Sequence, residues 1–388
     1  MKMPKIVFVM FLFWVLETTA APVIIPSAPQ LAVEGYILID STTGKILAEH
    51  NSQVRLPPAS LTKIMTSYVI ASEIKQGRIN LADSVPVSVK AWRTEGSRMF
   101  IQEGTSVSVE DLLRGIIIQS GNDASVAMAE FIAGSEETFS ELMNGQAAAI
   151  GMLNSQFRNA TGLPDEAHYT TAADLARLTS ALIEGFPEHY KLYQEKYFTY
   201  NDIRQANRNS LLFRNEKVDG VKTGYTKAAG YCLVASSEQK GTRLISVVMG
   251  ADSERNRASE TQKLLTYGFR FFETVDLYKS GDSLRKVKVW GGLHESIQLG
   301  VEEDLVLTIP RGQRDQLAAR IQVDPVIKAP LTKGQALGTL TLTLDGEILI
   351  EKPVLALNAV AEAGFLGRIW DEVRLFFTEL ISGDTSAV

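Results

Sequence analysis

The chain has 388 residues, of which 45% are hydrophobic and 22% are charged, so it is long enough for two domains with buried cores. Its formal net charge of −6 offers no basic surplus and argues against nucleic-acid binding. A single cysteine, Cys232, excludes an internal disulfide framework and a cysteine-rich zinc site. The four histidines are scattered without ligand spacing, which argues against a metal centre and against catalysis by a histidine base.

The first 20 residues predict a secretory signal peptide. Two lysines precede an apolar run over residues 6–16, and small residues follow this run. The run is shorter than the roughly 20 residues that span a bilayer. Cleavage after Ala20 is favoured, because Pro22 would directly follow a cut made one residue later. We therefore expect the mature chain to work outside the cytoplasm, with an uncleaved anchor as the alternative.

Residues 21–273 have the pattern of an α+β domain. Two apolar runs at residues 36–40 and 45–49 flank a Ser-Thr-Thr-Gly turn and predict a hairpin. Helical spacing of apolar residues follows at residues 61–75, 109–118, 124–133, 140–152 and 172–184. A second strand pair is predicted at residues 231–236 and 242–250, before a helix over residues 254–273. Strands, then helices, then strands in one core indicate an antiparallel sheet with segregated helices.

Residues 274–361 predict a separate, small all-β domain of the sandwich type. Short strand candidates recur between Gly, Pro, Asp and Lys, at residues 284–290, 296–300, 305–309, 319–323, 336–344 and 347–350. This segment holds no group of residues that indicates chemistry. We interpret it as a spacer or docking domain and call it the β module.

Residues 362–388 contain an amphipathic helix, predicted over residues 364–382. Its aliphatic and aromatic residues fall within an arc of roughly 160°, with Leu375 outside that arc. Five charged residues argue against a membrane-spanning helix, whereas the wide apolar arc is typical of a helix that lies in the membrane interface. The segment is not basic, so apolar burial would have to provide the binding. Packing on the protein or on a second copy of the chain is the alternative.

Three short motifs indicate acyl transfer: Ser60-Leu61-Thr62-Lys63, Ser120-Gly121-Asn122 and Lys222-Thr223-Gly224. Ser-x-x-Lys alone is uninformative, because it occurs at three further places in the chain. Ser60 differs from those serines because it follows Pro-Pro-Ala directly and precedes a predicted helix. The free N–H groups and the dipole at a helix N-terminus favour negative charge there. Lys63 lies one turn later on the same face.

Acyl transfer needs an activated hydroxyl, a proton acceptor, an oxyanion site and a group that holds the substrate. Ser60 provides the hydroxyl. Lys63 can be the base when burial and a neighbouring cation, which we expect to be Lys222, favour its neutral form. Ser120 can bridge the two lysines and pass the proton to the leaving amine. Asn122 can hold a substrate amide through its own side-chain amide.

The three motifs together are typical of serine penicillin-binding enzymes. Ser-Gly-Asn is the variant that D-alanyl-D-alanine carboxypeptidases carry, and the chain resembles that family, the low-molecular-mass penicillin-binding proteins of peptidase family S11. The resemblance covers essentially the whole chain, including the signal, the Pro-Pro-Ala-Ser-Leu-Thr-Lys segment, residues 159–165 and 218–224, the β module and the tail. It implies a β-lactamase/transpeptidase-like fold for residues 21–273.

The resemblance also implies roles for individual residues. The backbone N–H groups of Ser60 and Tyr225 would form an oxyanion hole, and Lys222, Thr223 and Arg257 would receive the substrate's terminal carboxylate. Neither a metal nor a cofactor is implied. The complete expected site has three catalytic residues, Ser60, Lys63 and Ser120, and seven substrate-binding residues, Asn122, Lys222, Thr223, Gly224, Tyr225, Arg257 and Arg208.

The activity implied by the resemblance is removal of the terminal D-alanine from peptidoglycan stem peptides ending in D-Ala-D-Ala, with β-lactam antibiotics as acylating inhibitors. The implied location is the periplasmic face of the cytoplasmic membrane, with peripheral attachment through the C-terminal helix. A class A-like β-lactamase is one alternative; Glu166 is available, but Thr170 stands where that family needs an asparagine. A non-catalytic penicillin- or peptidoglycan-binding protein is another, and endopeptidase or transpeptidase activity is a third.

Overall fold

A computed structural model describes residues 25–382 of the chain, so the predicted signal peptide lies outside the described residues. The strands up to residue 251 are β1 (Gly35–Asp40), β2 (Ile46–His50), β3 (Ser84–Pro86), β4 (Ser106–Ser108), β5 (Tyr197–Tyr200), β6 (Ile203–Ala206), β7 (Val218–Thr226), β8 (Gly230–Gln239) and β9 (Thr242–Ala251). The helices up to residue 271 are α1 (Thr62–Lys75), α2 (Val89–Arg93), α3 (Val109–Arg114), α4 (Asn122–Ala133), α5 (Glu136–Ala149), α6 (Ala172–Gly185), α7 (Pro187–Tyr190), α8 (Leu211–Arg214) and α9 (Glu254–Phe271).

A five-stranded antiparallel sheet in the order β2-β1-β9-β8-β7 forms the centre of this part of the chain. Its side chains alternate between two apolar layers, as the strand period of two requires. Ile37 and Ile39 pack with the larger helical layer, whereas Leu38 packs with Leu264 and Leu265 of α9 on the opposite face. The helices thus cover both faces of one antiparallel sheet, and the α+β prediction is confirmed.

Helix α1 passes through the middle of the larger helical layer. The sequence predicts an amphipathic helix here, but residues 62–73 are all buried, including the polar ones. Thr66 donates a hydrogen bond to the Ala160 carbonyl oxygen at 2.7 Å, and the Ser67 hydroxyl lies 2.6 Å from His189 Nε2. Small polar side chains can be buried in this way because their hydrogen bonds are made inside the protein. Helix α1, which follows Ser60, is therefore buried on all sides and is held by hydrogen bonds to neighbouring segments.

Element boundaries differ from the predicted ones where local capping decides them. The helix predicted from residue 140 begins at Glu136, because the Ser135 side chain accepts a hydrogen bond from the backbone N–H of Thr138. The helix predicted up to residue 273 ends at Phe271, and a strand begins at the next residue. The helix predicted over residues 109–118 is divided into α3 and a π-helical turn, Gly115–Gln119. That turn leads into the second motif.

The β module is all-β, as predicted, and has its own apolar core around Leu299, Leu340 and Val354. Its strands are β10 (Phe272–Tyr278), β11 (Arg285–Lys288), β12 (Ser296–Gly300), β13 (Leu305–Pro310), β14 (Leu317–Val323), β15 (Ala336–Leu344) and β16 (Glu347–Ala356). The antiparallel pair of β10 and β13 packs with a five-stranded antiparallel sheet whose order is β11-β12-β16-β15-β14.

The C-terminal helix α10 (Phe365–Ser382) lies against the β module with its polar side. Asp371 Oδ2 accepts a hydrogen bond from the Gly291 backbone N–H at 2.9 Å. Arg368, one turn earlier, forms an ion pair with Glu362 at 2.6 Å. Leu375, one turn later and outside the apolar arc, is only 7% exposed. Residues 368, 371 and 375 follow each other at helical spacing, so they form the side that contacts the protein.

The apolar arc of α10 points away from the protein. Val373 at its centre is 44% exposed and Trp370 is 64% exposed, and the other members with described side chains are exposed as well: Phe365, Leu366, Ile369, Phe376 and Phe377. A contiguous apolar surface of this kind is typical of an interaction site. Within residues 25–382, no helix combines the length and the apolar character needed to cross a membrane.

A buried carboxylate joins the first part of the chain to the β module. Asp40, at the end of β1, is fully buried and accepts hydrogen bonds from the hydroxyls of Thr274 at 2.5 Å and Thr308 at 2.7 Å. The backbone N–H of Thr42 donates to the same carboxylate at 2.9 Å. Lys45 adds a hydrogen bond to the Thr308 carbonyl oxygen at 3.0 Å.

We expect the Asp40→Ala substitution to lower the free energy of unfolding by about 1–3 kcal/mol, because it leaves buried hydroxyls without their acceptor. Urea unfolding followed by circular dichroism measures the change. Asp276→Ala is the matched control, since Asp276 is exposed and pairs only with the exposed Lys279 at 3.5 Å. Equal unfolding midpoints for the two variants would contradict the stabilising role of Asp40.

Candidate active site

Ser60 lies in a tight 3-10 turn, Ala59–Leu61, that leads directly into α1. Two glycines allow other segments to reach this turn. A Cβ added to Gly162 would lie 1.8 Å from the Ala59 carbonyl oxygen, and one added to Gly224 would lie 3.2 Å from the Ser60 backbone nitrogen. Glycine at position 162 is therefore required for the close approach of its segment to the turn at Ser60, and glycine at position 224 allows β7 to pack tightly against the same turn.

The Lys63 side chain connects the first two motifs. Its ammonium group is buried, with a residue exposure of 1%, and its Nζ lies 3.0 Å from Ser60 Oγ. The same Nζ lies 2.7 Å from Asn122 Oδ1 and 2.5 Å from the Thr161 carbonyl oxygen. A protonated lysine has three N–H donors, and these three acceptors match them one for one. The amide of Asn122 is also used on its other side, where Nδ2 donates to the Glu95 carbonyl oxygen at 2.6 Å.

The environment of Lys63 favours the neutral amine. Burial, followed by the positive charge of Arg208, lowers the pKa of Lys63 from 10.5 to about 7. The carboxylates of Asp123 and Glu136 oppose this shift. The sequence predicts Lys222 as the neighbouring cation, and the structure adds Arg208, whose positive charge acts on Lys63. Lys63 in turn lowers the pKa of Lys222.

Ser120 follows the π-helical turn and has a left-handed backbone with φ of 67°. This conformation is uncommon for a residue with a side chain. The N–H of Gly121 is bonded to the Gly115 carbonyl oxygen, which fixes the turn. Within residues 25–382, the hydroxyl of Ser120 makes no hydrogen bond with another side chain or backbone group, although the residue is buried. Asp123, just after the motif, accepts backbone N–H bonds from residues 99–101 and so holds the facing loop.

The third motif lies on β7 and brings further cations to the site. Lys222 Nζ donates to the Thr223 carbonyl oxygen at 2.9 Å, and burial together with the charges of neighbouring cations holds the pKa of Lys222 well below its usual value. Arg257 of α9 reaches over the strand, and its Nη1 lies 3.4 Å from the Gly224 carbonyl oxygen. Its other Nη forms an ion pair with the exposed Glu254 at 3.0 Å.

Arg208 and Tyr225 complete the set of residues expected from the sequence. Arg208 Nε donates to the Gln119 carbonyl oxygen at 3.0 Å, directly before the second motif. Tyr225 is half exposed and packs on Tyr231, with ring centroids 4.3 Å apart. In the described part of the chain, Glu254 is the one carboxylate within ion-pair distance of the four site cations, Lys63, Lys222, Arg208 and Arg257. This excess of positive charge favours an anionic ligand.

Residues 159–162 also contribute to the site, through contacts with Lys63 and with the turn at Ser60 that the sequence did not predict. Asn159 Oδ1 accepts hydrogen bonds from the backbone N–H groups of Thr161 at 3.1 Å and Gly162 at 2.7 Å, which forms an Asx-type turn. This turn directs the Thr161 carbonyl oxygen at Lys63 and places Gly162 on the nucleophile turn. Asn-x-Thr-Gly is a turn signal that the sequence does contain, but the contact itself uses a backbone atom.

His168 contacts the residue two positions after Ser60 and has a structural role there. His168 Nε2 lies 2.9 Å from Thr62 Oγ1 in a buried contact. Burial lowers the pKa of His168 to about 4, so the ring is neutral at neutral pH. Cys232 is also buried, in β8, and burial raises the pKa of its thiol to about 11. Cys232 is thus a small buried residue within the strand predicted at residues 231–236.

Glu166 and Thr170, at the two positions that would identify a class A β-lactamase, do not form the arrangement that such an enzyme needs. Glu166 is exposed. Thr170, at the position where that family needs an asparagine, is buried, and its hydroxyl lies 2.7 Å from the Ser155 hydroxyl. The buried Thr170 has no amide with which to hold a water molecule beside Glu166.

Comparisons with known proteins agree with this geometry. The family model for D-alanyl-D-alanine carboxypeptidase (peptidase S11) matches residues 23–253, and that for the C-terminal domain of penicillin-binding protein 5 matches residues 272–362. The D-alanyl-D-alanine carboxypeptidase DacC of Escherichia coli is 46% identical over 95% of this chain and 94% of its own length. DacA of the same organism is 46% identical over 91% of this chain and 90% of its own length.

A crystal structure of penicillin binding protein 5 from Haemophilus influenzae superposes with a TM-score of 0.82 at 42% sequence identity, covering 87% of this chain and 100% of that one. The prediction of a transpeptidase-like α+β domain followed by a β domain is thus confirmed. The agreement of motifs, fold and relatives over both parts of the chain leads to one conclusion. The chain belongs to the D-alanyl-D-alanine carboxypeptidase family.

Proposed function

We propose that the chain is a serine carboxypeptidase that removes the terminal D-alanine from peptidoglycan stem peptides ending in D-Ala-D-Ala. One observation carries the proposal: Lys63 Nζ lies 3.0 Å from Ser60 Oγ, and the pKa of Lys63 is lowered to about 7. A buried amine in this state is a general base beside a hydroxyl nucleophile. Membership of the carboxypeptidase family supports the choice of substrate.

The proton transfer follows from the three contacts of Lys63. In the neutral amine, two N–H groups donate to Asn122 Oδ1 and the Thr161 carbonyl oxygen, at 2.7 and 2.5 Å. The lone pair then points towards Ser60 Oγ and accepts its proton. The serine oxygen attacks the carbonyl carbon of the D-Ala-D-Ala bond. The oxyanion that forms accepts hydrogen bonds from the backbone N–H groups of Ser60 and Tyr225.

In the next step the peptide bond breaks. The proton on Lys63 passes through the Ser120 hydroxyl to the leaving nitrogen, D-alanine departs, and the acyl group remains on Ser60. Support for Ser120 as the relay comes from its burial, from its place two residues before Asn122, which contacts Lys63, and from a hydroxyl with no hydrogen bond in the described chain. Water then attacks the ester carbon while Lys63 accepts a proton from this water. The bond between the acyl carbon and Ser60 Oγ breaks, Lys63 returns the proton to Oγ, and the shortened peptide leaves as a carboxylic acid.

The terminal carboxylate of the substrate enters the cationic part of the site. Lys222, Thr223 and Arg257 are proposed to bind it, with Arg208 at the edge. Burial and the neighbouring cations hold the pKa of Lys222 well below its usual value, and the negative charge of a bound carboxylate would oppose this shift. A penicillin carboxylate would use the same groups. The exposed position of Glu166 favours slow release of a penicilloyl group over the rapid hydrolysis of a β-lactamase.

We further propose how the chain is divided and placed. Residues 1–20 are the signal peptide, 21–273 the peptidase domain, 274–361 the β module, and 362–388 the anchoring helix and tail. The protein acts in the periplasm and attaches to the surface of the cytoplasmic membrane through α10. The outward direction of the apolar arc around Trp370 supports this attachment, because the polar side of the helix is occupied by the β module.

The function is tested by D-alanine release from a diacyl-lysyl-D-Ala-D-Ala peptide. We expect Ser60→Ala to reduce release by about 10³-fold or more, because the nucleophile is lost, and we expect penicillin to block the unmodified protein. Ser283→Ala is the matched control, since Ser283 belongs to another Ser-x-x-Lys sequence, in the β module. Rapid penicillin hydrolysis without D-alanine release would instead support a β-lactamase, and stable acylation alone would support a binding protein.

The rate of acylation by penicillin is expected to rise with pH through a midpoint near the Lys63 pKa of about 7, because only the neutral amine accepts the serine proton. Arg208→Gln removes a positive charge that disfavours protonated Lys63, so the pKa rises and the midpoint moves to higher pH. Stopped-flow acylation between about pH 5.5 and 9 measures both profiles. Arg214→Gln is the control with an unchanged midpoint. A midpoint that stays in place or falls in Arg208→Gln would refute the assigned effect.

Recognition of the carboxylate is tested with two peptides that differ only in a terminal carboxylate or carboxamide. We expect the unmodified protein to prefer the carboxylate by about 10²-fold or more in kcat/KM, because charged groups of the site would otherwise lack a partner. Arg257→Gln should reduce this ratio by about 10-fold, while Arg255→Gln on the same helix should leave it unchanged. An unaltered ratio in Arg257→Gln would remove Arg257 from the carboxylate site.

A further inference from the structure

The two edges of the five-stranded sheet in the β module come close together. Strand β11 forms one edge and β14 the other, and Arg285 Nη1 donates to the Ile321 carbonyl oxygen at 2.8 Å across them. A cleft of about 550 Å³ remains along these edges, lined by side chains of both strands and by Trp290. Open edges of a sheet are exposed to partners unless something covers or charges them.

The lining of this cleft is strongly cationic. Arg285, Lys286 and Lys288 contribute from β11, and Arg320 contributes from β14, whereas Asp324 is the one acidic residue of the lining. Within residues 25–382, none of these four cations forms an ion pair. Their concentration contrasts with the net charge of −6 for the chain. We call these four residues the basic cleft.

One member of the basic cleft is held in place by an aromatic ring. Lys288 Nζ lies 3.3 Å from the centroid of Trp290, whose side chain is buried. A cation over an indole ring is stabilised by the ring quadrupole. Lys288 is thereby kept at the cleft, with N–H groups available to an anion. A phosphate oxygen is a suitable acceptor for lysine and arginine donors in such a cluster.

The basic cleft lies beside α10. Gly291, the residue after Trp290, donates its N–H to Asp371 of that helix at 2.9 Å. Leu293, in the same loop, is 65% exposed. A helix is about 10 Å across, so a bilayer that buries the outward arc of α10 comes within about one Debye length of the neighbouring module surface. Long lysine and arginine side chains from this surface extend further towards the headgroups.

We propose that the basic cleft binds the phosphate groups of anionic phospholipids and so adds electrostatic attraction to the apolar anchoring by α10. The inference rests on the proposed membrane attachment. Helix α10 has two arginines against three acidic residues and cannot supply this attraction itself. The closeness to α10 and the exposed Leu293 favour a lipid surface over an acidic peptide as the occupant. The β module then determines which lipids the protein prefers.

The test is binding of the full mature chain to vesicles of phosphatidylcholine alone and to vesicles with about one third phosphatidylglycerol, at low and at high salt. We expect an increase in the partition coefficient of about 10-fold or more on the anionic vesicles, lost at high salt. The triple variant K286Q/K288Q/R320Q should lose this increase and retain binding to neutral vesicles. The variant R214Q/R255Q/R270Q, with three cations removed from the peptidase domain, should keep the increase.

Penicillin acylation of each variant verifies that its peptidase domain is folded. An anionic increase that is absent, or that persists in K286Q/K288Q/R320Q, overturns the proposal; persistence would place the contact with anionic lipid outside the basic cleft. Neutral vesicles report on α10 separately, and Trp370→Ser with Phe376→Ser should abolish that binding. If the unmodified chain binds only anionic vesicles and the triple variant does not, attachment through α10 fails while the role of the basic cleft stands.

Discussion

The site depends on an amine that is buried without a carboxylate in contact. Lys63 is enclosed by α1, by the second motif and by the turn at residues 159–162, and each supplies neutral atoms to its Nζ. Burying a fixed positive charge in this way would be costly, and the cost is reduced because the amine gives up its proton near neutral pH. The packing that buries the lysine thus favours the neutral amine, which is the form that the proposed mechanism uses as the base.

The burial of Lys63 also explains why other segments pack closely around the turn at Ser60. Three segments far apart in the chain must approach the turn at Ser60, and two of them do so at glycine, Gly162 and Gly224. A side chain at position 162 would push its segment away from the Ala59 carbonyl oxygen and expose Lys63 to water. Water would raise the pKa of Lys63 and weaken it as a base at neutral pH. Close packing at this turn therefore has a chemical consequence as well as a structural one.

Much of this arrangement could be predicted from the sequence. Apolar periodicity identified the sheet, the main helices and the β module, and the motifs identified Ser60 and Lys63, which lie in contact. What periodicity could not predict is the burial of the polar side of α1, since that depends on acceptors such as the Ala160 carbonyl oxygen from a distant segment. The acceptor at Thr161 is likewise a backbone atom. The effect of Arg208 on Lys63 depends on the path of the loop that carries this arginine.

For helix α10 too, the sequence pattern predicted the helix and its apolar arc but not the direction in which that arc points. The pattern predicted an apolar arc with Leu375 outside it, and an amphipathic helix on a globular protein would ordinarily turn that arc inward. Here Leu375 and the polar residues beside it contact the β module, with Asp371 bonded to the Gly291 N–H. The bond holds the helix by the side that water would otherwise cover. Burial of the outward arc is therefore left to a second surface, and a membrane is the surface that the proposed attachment supplies.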